Sequence, residues 1–546
     1  MKRYLFGMIM SLSLVACGAD DNKKQDAVDV DASRLVENIR VLASDEFEGR
    51  APSSPGEEKT INFLKEKFEE AGWKPGNGES YFQAIDMVEI TAAPDAAMTV
   101  AHAGGEEKLA YGPGYMAWTK RVVNAVSVKN SEMVFVGYGI VAPEYGWNDY
   151  AGLDVKGKTV VILINDPGYA TQNPELFTGN AMTYYGRWTY KFEEAARQGA
   201  DAAIIIHETA PASYPWDVVQ GSWSGPQFSL ASEDGNMDRV KIEGWVPGAT
   251  AEKIFTAAGL DYAAQKEAAA TAGFKAVPLK AKMSLSLNNK IRHSKSNNVV
   301  AVLPGTERPD EFVIHMAHWD HLGKDESLEG DQIYNGALDN ATGTAGLIEL
   351  AHAYKNGTVK PKRSVMLMAV TAEEQGLLGS LYYGEHPIVP LNKTVAAINM
   401  DVLGHLGATR DVTVIGYGNS ELDDYVEDAV KKVGRVVRPD PTPEKGYYYR
   451  SDHFSLAKVG VPALYIDAGV DHVVNGEEWY LEQAAKYTAN DYHKPSDEYS
   501  EDWDMSGAVE DLTLIYRIGL RLATENRFPN WREGTEFRAK RDSMMK

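Results

Sequence analysis

The sequence predicts an α/β protein: a mostly parallel central sheet flanked by helices, interrupted by an inserted β-rich domain. Three observations lead there. Short apolar runs of strand length stand at 299–303, 312–317, 365–370, 395–400 and 461–466. Helical stretches separate several of them, such as the one carrying Leu347, Leu350, Ala351 and Tyr354 on a single face, and that alternation implies parallel strands covered on both sides. From about residue 85 to 191 the sequence is instead alternating and turn-rich, with few helix-length patterns, which marks an insertion.

At the N-terminus, Lys2 and Arg3 precede an apolar stretch too short to span a bilayer and then small residues, the pattern of an export signal over 1–17. Leu14-Val15-Ala16-Cys17 resembles the lipobox of bacterial lipoproteins, in which the cysteine becomes the lipidated first residue. Polar residues 18–30 read as a tether. The expectation is an exported protein, periplasmic or at the cell surface, anchored to the outer membrane through Cys17 and touching the membrane only there. Cys17 is the only cysteine, so any metal in the mature fold must be held by His, Asp and Glu. The net charge of -23, with no block of Lys and Arg, argues against nucleic acid as a partner.

The remaining chain divides into a first catalytic part at 31–90, the insert at 91–290, a second catalytic part at 291–530 and a tail at 531–546. Ser54-Pro55-Gly56-Glu57 is a capping box opening a helix whose apolar face is Ile61, Leu64, Phe68 and Ala71. In the insert, the 133–143 and 154–164 stretches give strands, 191–199 a short helix and 200–206 a buried strand. That pattern resembles the protease-associated domain found inserted in several secreted peptidases.

The chemistry gathers where apolar runs end, the place where open α/β sheets collect ligands. His318-Trp-Asp320-His321 follows the second run, and Asn335-Gly-Ala-Leu-Asp339-Asn-Ala-Thr-Gly343 lies in the loop beyond. Thr371-Ala-Glu373-Glu374 follows the third run, Asp401 the fourth, and Asp491-Tyr-His493-Lys-Pro-Ser-Asp497 comes later. Two histidines and three carboxylates form a hard N/O ligand set that suits two divalent ions, with one carboxylate bridging. Asp320 is placed to fix the His318 ring from behind.

In order and context these motifs resemble the co-catalytic zinc peptidases of metallopeptidase family twenty-eight, which includes leucyl aminopeptidases, glutamate carboxypeptidases and the non-catalytic transferrin receptor. The resemblance extends to Leu42-Ala-Ser-Asp-Glu-Phe-Glu-Gly-Arg-Ala51 and to the insert. It implies two zinc ions bridged by Asp339, one also taking His318 and Asp401, the other Glu374 and His493. It implies Glu373 as general base and Asp320 as the aspartate behind His318. Ser451-Asp-His453-Phe454 matches a family landmark, and Tyr448, within the run Tyr447 to Tyr449, matches a tyrosine that hydrogen-bonds the substrate carbonyl. One departure is Leu338, where the family often has a first aspartate. The function implied is hydrolysis of N-terminal residues from peptides. A carboxypeptidase or dipeptidase of the same family, with Arg450 or Arg410 pairing a terminal carboxylate, is the alternative; a single-zinc glutaminyl cyclase and a non-catalytic receptor-like protein stand further off.

Overall fold

A computed structural model describes residues 28–546. The expected export signal, Cys17 and the tether up to residue 27 lie outside the described residues.

The apolar runs become the middle of the sheet. Arg308–His318 pairs in parallel with Arg363–Val370 on one side and Thr394–Asn399 on the other, and Thr394–Asn399 pairs in parallel with Ala463–Ala468. Every residue of Arg363–Val370 and Thr394–Asn399 is buried. Helices cover both faces, which is why these strands read as unbroken apolar runs. The run at 299–303 is the end of a longer strand, Val277–Leu303, antiparallel to Arg363–Val370. Asp411–Ile415 and Val436–Pro439 extend the far side, and at 5 and 4 residues they are too short to stand out in the sequence.

Helices Ala32–Leu42, Pro55–Glu70, Thr342–Asn356 and Ser506–Thr524 share one core with the sheet. Pro55–Glu70 starts as its capping box requires: the Ser54 side chain accepts hydrogen bonds from the Gly56 and Glu57 amides, a cap worth about 1 kcal/mol. Its Ile61, Leu64 and Phe68 are buried. No helix among the described residues is long and apolar enough to cross a membrane.

Residues 91 and 290 lie inside strands rather than at hinges. Phe82–Pro94 and Val277–Leu303 pair antiparallel along their shared length and run as one ribbon from the catalytic sheet into the insert. The insert carries many strands, as expected, and its centre is α/β. Thr159–Leu163, Ala202–His207 and Ile242–Pro247 form a parallel set, with helices Trp188–Arg197, Gly248–Ala257 and Tyr262–Ala269 beside it. Wholly buried strands and short helices leave little periodicity to read.

Insert and catalytic part meet beside the Ser451-Asp-His453 segment. The Met182 amide donates to the Pro443 carbonyl at 3.1 Å, Lys458 pairs with Glu193 at 2.8 Å, and the Tyr184 ring packs on Phe454. Residues 531–546 are part of this packing rather than a loose tail: Trp531 is fully buried and Arg541 donates to the Leu391 and Thr394 carbonyls.

Candidate metal centre

Parallel strands end on the same edge of a sheet, so His318, the 371–374 loop and Asp401 arrive side by side. The loop at 335–343 closes over them. Its shape depends on Asn340, whose side chain accepts from the Gly343 and Val402 amides and donates to the Met400 carbonyl at 3.0 Å. A Cβ at Gly343 would stand 2.4 Å from Asn340 Oδ1, so only glycine fits there.

The five expected ligands come together. His318 Nε2 lies 3.2 Å from Asp401 Oδ1 and 3.4 Å from Asp339 Oδ1. His493 Nε2 lies 3.3 Å from Asp339 Oδ2 and 3.2 Å from Glu374 Oε2. Asp339 therefore turns one oxygen toward each histidine–carboxylate pair. These separations fit two ions, since ligands bound tetrahedrally at about 2.0–2.1 Å stand roughly 3.3 Å apart. The two positions differ in access, the His318 side chain being 1% exposed and that of His493 35%.

Asp320 sits behind the cluster but works differently from the expectation. Its carboxylate is 3.9 Å from His318 Nδ1, and the ring donates instead to the Asp320 carbonyl oxygen at 3.2 Å. A proton held on Nδ1 leaves the Nε2 lone pair facing the cluster. The Asp320 carboxylate accepts from the Glu373 and Glu374 amides, so it fixes the neighbouring loop as well. Burial pushes this carboxyl up to about 7.

Tyr448 is not among the ligands. Its ring packs between His453 and Phe537, its hydroxyl has no hydrogen-bond partner among the described residues, and the charges acting on it are Glu536 and Asp423. The 447–449 turn is held against the insert and Phe537, which turns Tyr448 inward. The tyrosines facing the carboxylates are Tyr465, whose hydroxyl donates to the Asp401 carbonyl at 3.0 Å, and Tyr492, stacked on His493.

Several supporting residues had no role in the sequence reading. Asp497 accepts from the Leu338 and Asp339 amides and fixes the central aspartate. Arg50 is fully buried and donates to four carbonyls, those of Leu42, Trp319, Asn335 and Gly336. His321 donates to Glu374. Arg50 and Asp497 stood inside motif segments; what they hold could be seen only once distant loops were adjacent.

The charges hold one another. Although burial opposes its proton, His493 is lifted to about 9 by Glu374 and Asp339. Burial likewise opposes the charge on Asp339, yet His318 and His493 hold its carboxyl well below the usual range. A histidine raised above its unfolded value near 6.5 contributes stability that is complete below that pH and lost as pH rises through the folded value. In chelator-treated protein, the excess stability of wild type over His493→Gln is therefore expected to shrink from pH 6 to pH 10. Paired thermal melts check this, and a difference that stays constant would refute it.

Sheet and cluster together make an α/β fold with a candidate metal centre at the ends of its parallel strands. Residues 298–516 match the profile of peptidase family M28, and all the candidate ligands fall within that stretch. Aminopeptidase NAALADL1 of Mus musculus is 29% identical over 161 residues, 29% of this chain and 20% of that one. Glutamate carboxypeptidase 2 homolog of Caenorhabditis elegans is 28% identical over 196 residues, 34% of this chain and 23% of that one. The chain thus spans about a fifth of the length of these curated relatives. The solved aminopeptidase from Aneurinibacillus sp. strain AM-1 aligns over 92% of this chain and 96% of its own, at 19% identity and a TM-score of 0.48.

Proposed function

We propose that the protein is an exported, zinc-dependent exopeptidase that removes N-terminal residues from peptides. The observation that carries this reading is Asp339, whose two oxygens face two separate histidine–carboxylate pairs while Glu373 stands beside them with no ion pair of its own among the described residues. Zinc held by His318, Asp401 and Asp339, and by Glu374, His493 and Asp339, would supply Lewis acidity toward a water and the scissile carbonyl. Glu373 takes the proton of the attacking water and returns it to the departing amine. Burial, with Asp401, Glu374 and Asp452 nearby, raises its proton affinity well above that of an ordinary glutamate, which suits that task near neutral pH. The surrounding carboxylates favour a free α-amino group over a carboxylate in the same space.

One observation favours a second reading, a carboxypeptidase. Arg450, next to the Ser451-Asp-His453 segment, and Arg187 of the insert lie close enough to repel each other; among the described residues neither has a salt bridge, and the Nε of each is buried without a partner. A terminal carboxylate would satisfy both. Arg410 has no such role, being paired with Asp471 at 2.7 Å.

Hydrolysis of leucine anilide with a free amine, against its N-acetylated twin, separates the readings. Cleavage of the free-amine substrate alone is expected. Cleavage of neither, with hydrolysis of a dipeptide ending in an acidic residue, would establish the carboxypeptidase, and a single bound zinc would point to cyclase-like chemistry. Export with a lipid on Cys17 belongs to the same proposal, and incorporation of a tagged fatty acid in cells should vanish in Cys17→Ser.

A further inference from the structure

His321 is fully buried, one residue beyond Asp320; its ring stands edge-on to that of His493, with centroids 5.7 Å apart, and it faces the Glu374 oxygen that His493 does not. Its Nδ1 lies 2.7 Å from Glu374 Oε1. His321, Asp339 and Glu374 are close enough to be taken for a ligand trio of their own. The distances argue otherwise. The histidine contacts that fit metal edges are 3.2 to 3.4 Å, whereas 2.7 Å is a hydrogen-bond length for N–H to a carboxylate.

The ring is also held in place for this contact. The His321 amide donates to the Arg50 carbonyl at 3.3 Å, and Gly336 lies flat against the imidazole, where a Cβ would come within 2.5 Å of its Cγ. Nε2 has no hydrogen-bond partner among the described residues, so Glu374 is the ring's one side-chain hydrogen bond there. With Oε1 occupied by His321, Glu374 has only Oε2 to offer, and Oε2 is the oxygen that faces His493.

We propose that His321 is a positioning residue that confines Glu374 to one-oxygen ligation and thereby sets the affinity of the second, more open metal position. The inference rests on the two-zinc reading above. An outer partner of this kind typically changes metal affinity by about 10–100-fold. His321 has no contact with His318 or Asp401, so the first position should not feel its loss.

The test is titration of zinc chloride into chelator-stripped full-length protein, in competition with a chromophoric chelator, for wild type, His321→Ala, His321→Asn and His321→Gln. Two equivalents are expected in the wild type. His321→Ala should weaken one of them by about 10–100-fold and leave the other unchanged. His321→Asn should recover most of the loss, because its amide nitrogen falls close to the position of Nδ1, and His321→Gln should not. Circular dichroism melts of the stripped proteins identify any variant that fails to fold, and the Asn–Gln contrast carries the conclusion between folded variants. Wild-type affinity in His321→Ala would overturn the proposal. So would loss of a whole equivalent in both His321→Ala and His321→Asn, which would make His321 a ligand. One equivalent in the wild type would instead overturn the two-zinc reading on which the proposal stands.

Discussion

Glu373→Gln is expected to lower kcat by about 10²–10⁴-fold, the usual contribution of a positioned acid–base group, while binding as much zinc as the wild type. The amide keeps the size of the side chain and cannot accept a proton. Its backbone amide would still donate to Asp320, so the loop should not move. Neighbouring Glu374, by contrast, faces His493 at 3.2 Å, and Glu374→Gln should lose metal as well as activity. Steady-state kinetics with metal analysis on both variants separates the two roles. Activity of Glu373→Gln within tenfold of wild type would remove Glu373 as the base.

Arg50→Met is expected to cost about 3–5 kcal/mol of stability, the range for breaking a buried charged network by removing one partner. Methionine can fill much of the space, but it leaves the Leu42, Trp319, Asn335 and Gly336 carbonyls without their donor. It also removes a buried cation on which Asp497, Asp339, Asp320 and Glu374 act. Burial lowers the Arg50 guanidinium to about 10 while Asp497, Asp339, Asp320 and Glu374 oppose that shift, so it stays charged at neutral pH. Urea unfolding should show the loss most clearly in stripped protein, and saturating zinc should restore part of it by binding only the folded state. An unchanged midpoint would mean that water replaces the guanidinium without penalty.

The two expectations differ in how visible they were. Glu373 and Glu374 stood at the end of an apolar run, and a run of strand length ending in carboxylates points to a sheet edge before any coordinates exist. Arg50 lies in the Leu42–Ala51 segment, but nothing local reveals that its four acceptors lie up to 286 residues away. The insert shows the same limit. A buried strand at 200–206 and the helix before it were legible, whereas the later helices Gly248–Ala257 and Tyr262–Ala269 and the continuous ribbon with the main sheet were not. Tyr448 marks the limit most sharply. The resemblance points to one tyrosine among three, whereas the Tyr448 ring packs on His453 and Phe537 and the charges acting on it are Glu536 and Asp423.

By itself the sequence determined the parallel sheet and the strand ends that carry His, Asp and Glu, because apolar periodicity and side-chain chemistry are local properties; the choice of five ligand candidates among those residues came from the family resemblance. Only the tertiary structure decided which oxygen of Asp339 faces which histidine, that Asp320 reaches His318 through its carbonyl, and that His321 holds Glu374. The physical reason is range. A hydrogen bond is set to within a few tenths of an ångström by groups far apart in the chain, and such distances exist only after the loops have packed.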